Sequence, residues 1–286
     1  MIASAPGKII LFGEHAVVYG RHALVSAINK RCRVRVEKAE DFRIKSQLGI
    51  TGLDFKIHPY VSFAVKRFGE VVDIKGAEIE IESEIPIGSG LGSSAAVIVA
   101  TIKALSAEFD VGLSKEEIFE MAKKVEIDVQ GRASGIDPFI STYGGAWLFP
   151  ERVKVEVPFS FFVFNLGEKS TAEMVSKVAG LKERHPEIVE KIFDAIDIIS
   201  LEASKNMDDV EFINELIALN QSLLRAIGVS TPEIDEVIAE LEKQGMTAKI
   251  TGAGGGGCVF GIYTGNKPEG SMIVECETEG VRVEED

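Results

Sequence analysis

The chain has 286 residues, of which 45% are hydrophobic and 27% charged, and its formal net charge is -14 at pH 7. This composition excludes a disordered chain and is typical of one large or two ordinary globular domains. The acidic balance argues against nucleic-acid binding, because phosphate contacts need clustered Lys and Arg, although a local cradle of backbone N–H groups can still bind a small anion.

Cysteine usage and the N-terminal stretch indicate the cellular compartment. Cys32, Cys258 and Cys276 are too few and too widely spaced for a disulfide framework, and no Cys-x-x-Cys or His-Glu-x-x-His spacing predicts a zinc site. The segment MIASAPGKIILFGEH lacks the charged and long apolar regions of a signal peptide, and no run reaches the roughly 18 apolar residues of a membrane span. We therefore expect a cytoplasmic protein with no membrane contact.

The first half of the sequence predicts strands separated by glycine-rich turns. KIILFG, RCRVRVEKA and FRIKS are three of these strands, and GAEIEIESEI alternates between apolar and polar residues as a half-buried strand does. Two helices are predicted after them, over residues 93–109 and 114–130. Ser114 and Glu117 form the pattern of a capping box at the start of the second helix.

The pattern changes near residue 151. The strand FSFFVFNL comes first, then helices near 171–180, 186–204, 208–227 and 232–244, and then the strands TAKITG, CVFGIY and MIVECE. The sequence predicts an α+β protein with domains at 1–150 and 151–286, docked against each other because no low-complexity linker separates them. A cleft between the two domains is the expected place for a site.

The stretch PIGSGLGSSAAVIVATI, which begins at Pro86, joins a strand to an apolar helix through a glycine-rich loop. Such a loop favours an anion, because glycines let the backbone approach a ligand and the free N–H groups of the helix face it. Gly90, Gly92 and Ala95 also match a dinucleotide fingerprint, but its acidic partner should end a second strand about 20 positions later, and here Glu108 and Asp110 end a predicted helix. A Walker loop is excluded because no Gly-Lys-Ser/Thr follows the glycines. Phosphate binding and a purely structural helix entry both stay open here.

Polar residues stand where apolar strands and helices are expected. Lys8, Glu14 and His15 surround the N-terminal strand, either as solvated ends or as groups that face a ligand or partner. Glu126 lies within the apolar arc of its predicted helix. An unpaired carboxylate there is costly, so a cation is expected nearby unless the side chain reaches water at the rim.

Two further segments are rich in glycine. GRASGIDP places Asp137 in a turn between Gly135 and Pro138, where Asp is ordinarily a backbone cap, and only its neighbours along the chain make it a candidate base. KITGAGGGGCVFGI contains the run Gly254 to Gly257. Ordering four consecutive glycines costs much conformational entropy, so the run predicts a place where the backbone lies close to another group. A long hairpin turn is the alternative.

Taken in this order, these stretches resemble the GHMP kinase superfamily. APGKIILFGEHAVVYG is similar to its first motif, PIGSGLGSSAA to its second and KITGAGGGGCVFGI to its third. EIDVQGRASGID resembles the segment with the metal-binding Glu and the catalytic Asp. The resemblance implies an N-terminal domain like domain 2 of ribosomal protein S5, a ferredoxin-like C-terminal domain, an active site between them, and the cofactors ATP and Mg²⁺.

The resemblance also implies a role for each matching residue. Asp137 takes the proton from the substrate hydroxyl, Lys8 polarises that hydroxyl, and Ser94 and Glu126 hold Mg²⁺. The residues expected to contact the substrate are Glu14, His15, Gly135, Thr171 and Gly254. The loop residues expected to bind ATP are Pro86, Ile87, Gly88, Ser89, Gly90, Leu91, Gly92, Ser93, Ser94, Ala95 and Ala96.

The motif GEHAVVYG favours mevalonate as the acceptor, in a step of isoprenoid biosynthesis. Galactokinases carry an Asp soon after this His, and phosphomevalonate kinases usually lack the His. The expected reaction transfers the γ-phosphoryl group of ATP to the 5-hydroxyl of mevalonate. The alternatives are a kinase for galactose, homoserine or phosphomevalonate, a decarboxylating relative, or a non-catalytic sensor of ATP and metabolite. The sequence leaves the oligomeric state open, with a homodimer as the candidate.

Two departures from the family pattern are visible. Relatives often place an Arg two positions before Thr171, where this chain has Lys169 followed by Ser170. Lys is a point charge rather than a bidentate fork, which leaves the role of Lys169 undefined. QGRASG replaces the usual His-Gly-x-Pro-Ser-Gly, so that Arg132 and Ala133 have no assigned role.

Overall fold

The computed structural model of the protein describes residues 1–131, 134–167 and 171–285. Its strands are β1 (Ile2–Phe12), β2 (Ala23–Lys38), β3 (Arg43–Ser46), β4 (Gly49–Thr51), β5 (Ala77–Ser83), β6 (Ala146–Phe149), β7 (Val153–Val155), β8 (Phe161–Asn165), β9 (Lys249–Thr251), β10 (Cys258–Ile262), β11 (Met272–Val274) and β12 (Arg282–Val283). Its helices are α1 (Pro59–Phe68), α2 (Ser93–Glu108), α3 (Lys115–Gln130), α4 (Ile136–Tyr143), α5 (Thr171–Arg184), α6 (Pro186–Lys205), α7 (Val210–Ala226) and α8 (Pro232–Lys243). These elements confirm the predicted α+β class.

The first sheet has the strand order β12-β1-β2-β5-β3-β4, and β6 and β7 extend it beside β2. Its pairs are antiparallel except for β3 with β5. Strand β5 shows the alternation that the sequence predicted, since Ala77 and Ile79 are buried and Glu78 is exposed. One face of the sheet therefore faces the core.

Helix α2 is the central helix of the layer that covers this sheet. It packs against β1, β2, α1, α3 and α4, so most of its surface is in contact with protein. This burial explains why the segment after the glycine-rich loop is almost continuously apolar. Helix α3 beside it begins with the predicted capping box: Ser114 accepts from the N–H of Glu117, and the Glu117 carboxylate accepts from the N–H of Ser114.

The second sheet has the strand order β11-β8-β10-β9, and α7 packs against β9 and β10. One continuous apolar core includes Ile9 of the first sheet and Phe161 and Phe260 of the second. The chain then returns to the first sheet, where Ala3 pairs with Val283. The division into domains near residue 150 stays a prediction.

Two helices of the structure were not predicted, α1 and α4. Asp137 was predicted to lie in an irregular turn, and this was wrong: it lies in the first turn of α4, where Gly135 is the N-cap with a φ of 78°. Pro138 is compatible with the helix because the N–H groups of a first turn have no partner within the helix. None of the helices in the described part of the chain is both long enough and apolar enough to cross a bilayer.

Candidate active site

A cleft of about 1320 Å³ is lined by residues from both halves of the chain. The first half contributes Lys8 of β1, Ser94 of α2 and Asp137 of α4, and the second half contributes Thr171 and Ala253. The structure therefore brings together residues that are far apart in sequence, as the prediction of a cleft required.

Lys8 and Asp137 form an ion pair in the wall of this cleft. The Lys8 Nζ lies 3.4 Å from the Asp137 Oδ2; the Lys8 side chain is 6% exposed and that of Asp137 30%. The Lys8 N–H donates to the carbonyl of Leu91 at 2.8 Å, which fastens β1 to the glycine-rich loop. A Cβ at Gly92 would lie 2.7 Å from the Lys8 Cγ, and the φ of Gly92 is +77°, so this position requires glycine. The side chain of Lys8 is thereby held against the start of α2.

Glu126 of α3 lies next to this pair and is only 6% exposed. Burial raises the pKa of its carboxyl to about 8; the negative charge of Asp137 acts in the same direction and Lys8 opposes it. The prediction that Glu126 points into the apolar arc of its helix is confirmed. A buried carboxylate beside a second carboxylate is a place where a further cation would be stabilised.

The residues expected to hold Mg²⁺ fit that ion. Ser94 and Glu126 both line the cleft, and hydroxyl and carboxylate oxygens are the hard donors that Mg²⁺ takes. Among the described residues no cluster of three or more His, Cys, Asp or Glu side chains is arranged for a metal. Mg²⁺ at nucleotide sites is typically held by one or two protein ligands together with substrate phosphates and water, so this small donor set suffices.

The glycine-rich loop combines residues that face the cleft with residues that hold the loop in shape. Its left-handed glycines are Gly88, Gly90 and Gly92, with φ of 70°, 78° and 77°. Of the predicted ATP contacts, those that line the cleft are Ile87, Gly88, Gly90, Gly92, Ser93 and Ser94. Those outside the lining are Pro86, Ser89, Leu91, Ala95 and Ala96. Ser89 is 1% exposed and its hydroxyl donates to the carbonyl of Pro86 at 2.7 Å, so its role is to close the loop.

The predicted substrate residues Glu14 and His15 form a corner directly after β1. His15 has a positive φ of 60° and is 6% exposed, and its Nε2 lies 2.9 Å from the carbonyl oxygen of Ala253, to which it donates. Burial lowers the pKa of His15, which the hydrogen bond to Ala253 opposes only in part. Glu14 is 1% exposed and pairs with Lys249 of β9. Both residues line the cleft.

The second glycine-rich loop packs against protein. A Cβ at Gly254 would lie 2.5 Å from the carbonyl oxygen of Val229, and one at Gly257 would lie 3.3 Å from that of Ser89. The close approach predicted for this glycine run is therefore observed, and the groups approached are the backbone of Val229 and the backbone of the glycine-rich loop at Ser89. From this loop it is Gly252 and Ala253 that line the cleft, whereas Gly254 lies against Val229.

The other predicted positions fall in two groups. Gly135 and Thr171 both line the cleft, the first as the N-cap of α4 and the second at the start of α5. Four positions singled out in the sequence lie outside the described residues: Arg132, Ala133, Lys169 and Ser170.

Lys249 and Arg152 are cations in or near the cleft that the sequence did not predict as site residues. Lys249 has no exposed surface, and the only signal for it was a Lys inside an otherwise apolar strand. Arg152 lines the cleft with a positive φ of 59°, and its guanidinium lies 4.6 Å from the ring centre of Phe139 and 5.3 Å from that of Phe119. No local pattern marks Arg152, because these rings reach it only in the folded chain.

Comparison with known proteins places the chain in a family. Residues 59–145 match the model of the GHMP kinase N-terminal domain, and residues 200–271 match that of the GHMP kinase C-terminal domain. A mevalonate kinase of Archaeoglobus fulgidus is 75% identical over 285 residues, which cover 100% of both chains. A mevalonate kinase of Pyrococcus abyssi is 38% identical and covers 100% of this chain and 98% of its own.

Solved structures agree with these matches. A crystal structure of a mevalonate kinase superposes with a TM-score of 0.85 at 30% identity and covers 98% of this chain and 100% of its own. The crystal structure of L. major mevalonate kinase in complex with R-mevalonate gives a TM-score of 0.80 at 25% identity, over 97% and 95% of the two chains. Both family models and the full-length identity lead to one conclusion: this chain has the two-domain GHMP kinase fold and belongs to the GHMP kinase family.

Proposed function

We propose that this chain transfers the γ-phosphoryl group of ATP to the 5-hydroxyl of mevalonate and releases 5-phosphomevalonate and ADP. The observation that carries this proposal is the Lys8–Asp137 pair, which lies in the same cleft as the glycine-rich loop and the start of α2. The relatives named as mevalonate kinases, one of them 75% identical, support mevalonate as the acceptor. A related structure is named as a complex with R-mevalonate.

Asp137 acts as the base in this proposal. Its carboxylate is partly open to the cleft, so an acceptor hydroxyl can come within hydrogen-bond distance and transfer its proton to an Asp137 oxygen. The ammonium of Lys8 beside it stabilises negative charge on the attacking oxygen and on the transferred group. Phosphoryl transfer depends mostly on such positioning and charge stabilisation, so Lys8, the loop amides and the helix dipole together contribute more than the base does.

The phosphates of ATP lie along the glycine-rich loop. The N–H groups at the start of α2 and the positive end of that helix face the cleft beside Ser93 and Ser94. Ser94 and Glu126 would hold Mg²⁺, which when bound neutralises phosphate charge. The lining of the cleft also includes apolar side chains suited to a nucleobase, namely those of Ile57, Tyr60, Ile87 and Val97.

Mevalonate occupies the part of the cleft beside Glu14 and His15. Gly135 and Thr171 line the same cleft and are the further contacts that we propose. This arrangement leaves the hydroxyl end of the acceptor near Asp137.

A coupled assay of ADP release tests the function. Purified protein with Mg²⁺ and ATP is given mevalonate, phosphomevalonate, galactose or homoserine in separate reactions, and Asp137→Asn serves as the blank for contaminating kinases. We expect ADP release that depends on mevalonate and is absent with the blank. Turnover with a different alcohol alone would refute the assignment of mevalonate, and tight binding of ATP and mevalonate without ADP release would identify a sensor instead.

A further inference from the structure

Lys249 is a fully buried cation whose three N–H donors all have acceptors. Its Nζ donates to the Glu14 carboxylate, to the carbonyl of Leu11 at 3.0 Å and to the carbonyl of Ile250 at 2.7 Å. The rings of Phe12 and Phe260 lie on either side, with their centres 5.6 Å and 5.1 Å from the Nζ. Burial lowers the pKa of Lys249, and the charge and hydrogen bond of Glu14 oppose this shift, so the ammonium depends on Glu14 as its partner.

The contacts of Lys249 belong to a set that joins β9 and the loop after it to the end of β1. Thr251 accepts from the N–H of Ile10 and donates to its carbonyl, both at 3.0 Å. The His15 ring donates to the carbonyl of Ala253, as described above. Alternate residues of one strand and loop, 249, 251 and 253, therefore hold β1 and the corner that follows it.

We propose that Lys249 is a positioning residue for the acceptor side of the cleft, holding the Glu14 carboxylate and through it the corner formed by Glu14 and His15. This inference rests on the proposed function in one respect, namely that the corner contacts mevalonate. Lys249 itself is not among the residues that line the cleft, whereas Glu14 and His15 are. Its effect on the reaction is transmitted by Glu14.

The chemistry of the pair supports positioning over simple stabilisation. A buried ion pair is weak evidence for stability, because desolvation of both charges offsets their attraction. The Lys249 contact occupies one oxygen of Glu14, and the other, Oε2, has no hydrogen-bond partner within the described residues although Glu14 lines the cleft. Because the Glu14 side chain is buried, its fixed carboxylate acts on the cleft by holding the corner that carries the His15 ring.

The test compares Lys249→Met with Gln221→Met. Gln221 accepts from the N–H of Ile250 at 3.0 Å and so supports β9 from the side of α7, away from the corner. For Lys249→Met we expect the KM for mevalonate to rise about tenfold or more, with the KM for ATP changed less than about twofold. For Gln221→Met we expect a lower melting temperature and both KM values within about twofold of the parent. Equal changes in both KM values for Lys249→Met, or an unchanged KM for mevalonate, would overturn the proposal.

Removal of one charge can prevent folding, since it leaves Glu14 buried without its partner. The double variant Glu14→Gln with Lys249→Met removes both charges and is compared with Glu14→Gln alone. Because Lys249 acts through Glu14, we expect the second substitution to add less than about twofold to the KM for mevalonate. A further increase of about tenfold would mean that Lys249 acts independently of Glu14 and would refute the proposal.

NMR spectra of the protein without substrate test the positioning role independently of the proposed function. The chain has four His residues, so the ring signals of His15 can be assigned in NMR spectra by the variant His15→Asn. We expect these signals to move in the Lys249→Met or double variant and to stay in place in Gln221→Met. Unmoved signals contradict the positioning role whichever alcohol the parent protein phosphorylates. A parent protein inactive on mevalonate refutes the proposed function alone.

Discussion

The Lys8 Nζ lies 3.4 Å from the Asp137 Oδ2, and this contact joins the middle of β1 to the first turn of α4. Lys8 reaches that position because its own N–H is bonded to Leu91 and its stem passes against Gly92. Asp137, Lys8 and the glycine-rich loop are thus fixed relative to one another by contacts of a single residue.

Asp137→Asn is expected to lower kcat by about 10² to 10⁴, because the amide keeps the shape of the side chain but cannot accept the proton. Initial rates with saturating ATP and mevalonate measure this loss, and circular dichroism checks the fold. Asp128→Asn is the matched control, since Asp128 lies on α3 and pairs with Arg67 at 2.6 Å. Asp137→Asn with near-full turnover would contradict the assignment of the base.

Glu126→Gln is expected to raise the Mg²⁺ concentration needed for half-maximal rate by about tenfold or more, because the variant loses a charged oxygen ligand. The rate is measured against free Mg²⁺ at fixed ATP. Glu120→Gln, an exposed position on the same helix, is the control and should leave the Mg²⁺ requirement unchanged. An identical Mg²⁺ dependence in Glu126→Gln and the parent would exclude Glu126 as a metal ligand.

The parts of the site that could be predicted from sequence are those whose pattern is local. The capping box and the apolar arc of α3 predicted both the helix and the burial of Glu126, and glycines before an apolar run predicted the loop. The pairing of Lys249 with Glu14 could not be predicted, because the two residues are 235 positions apart and meet only when the sheets pack. Asp137 was assigned to a turn because Gly and Pro flank it, whereas packing against α2 and β1 favours the helix.

The ion pair of His22 with Asp197 is expected to make stability depend on pH. His22 precedes β2, Asp197 is on α6, and the His22 Nδ1 lies 2.8 Å from the Asp197 Oδ1. Partial burial favours the neutral ring, but the hydrogen bond and charge of Asp197, together with Glu151, outweigh it and raise the pKa of His22 above 6.5. A raised folded-state pKa means that the stabilisation is complete below about 6.5 and is lost as the pH rises through the folded value.

His22→Gln is therefore expected to lower the free energy of unfolding by about 0.5–1 kcal/mol at pH 6 and by much less at pH 9. Denaturant titrations at the two pH values measure the difference. His185→Gln is the control, because His185 is an exposed residue directly before α6. An equal loss at both pH values would show that the charge of the ring contributes nothing.

Gly254→Ala tests whether the second glycine-rich loop is shaped by its contact with Val229. A new Cβ would lie 2.5 Å from the carbonyl oxygen of Val229, and the φ of +71° is itself unfavourable for alanine. Gly245→Ala is the matched control, since its φ is +76° and nothing lies within 4 Å of the new atom. We expect the control to cost about 1–2 kcal/mol in the free energy of unfolding, from backbone strain alone, and Gly254→Ala to cost clearly more.

Because the carbonyl of Ala253 accepts from the His15 ring, Gly254→Ala should also raise the KM for mevalonate, while the control leaves it unchanged. Equal losses of stability in the two variants would mean that the contact with Val229 does not constrain the loop.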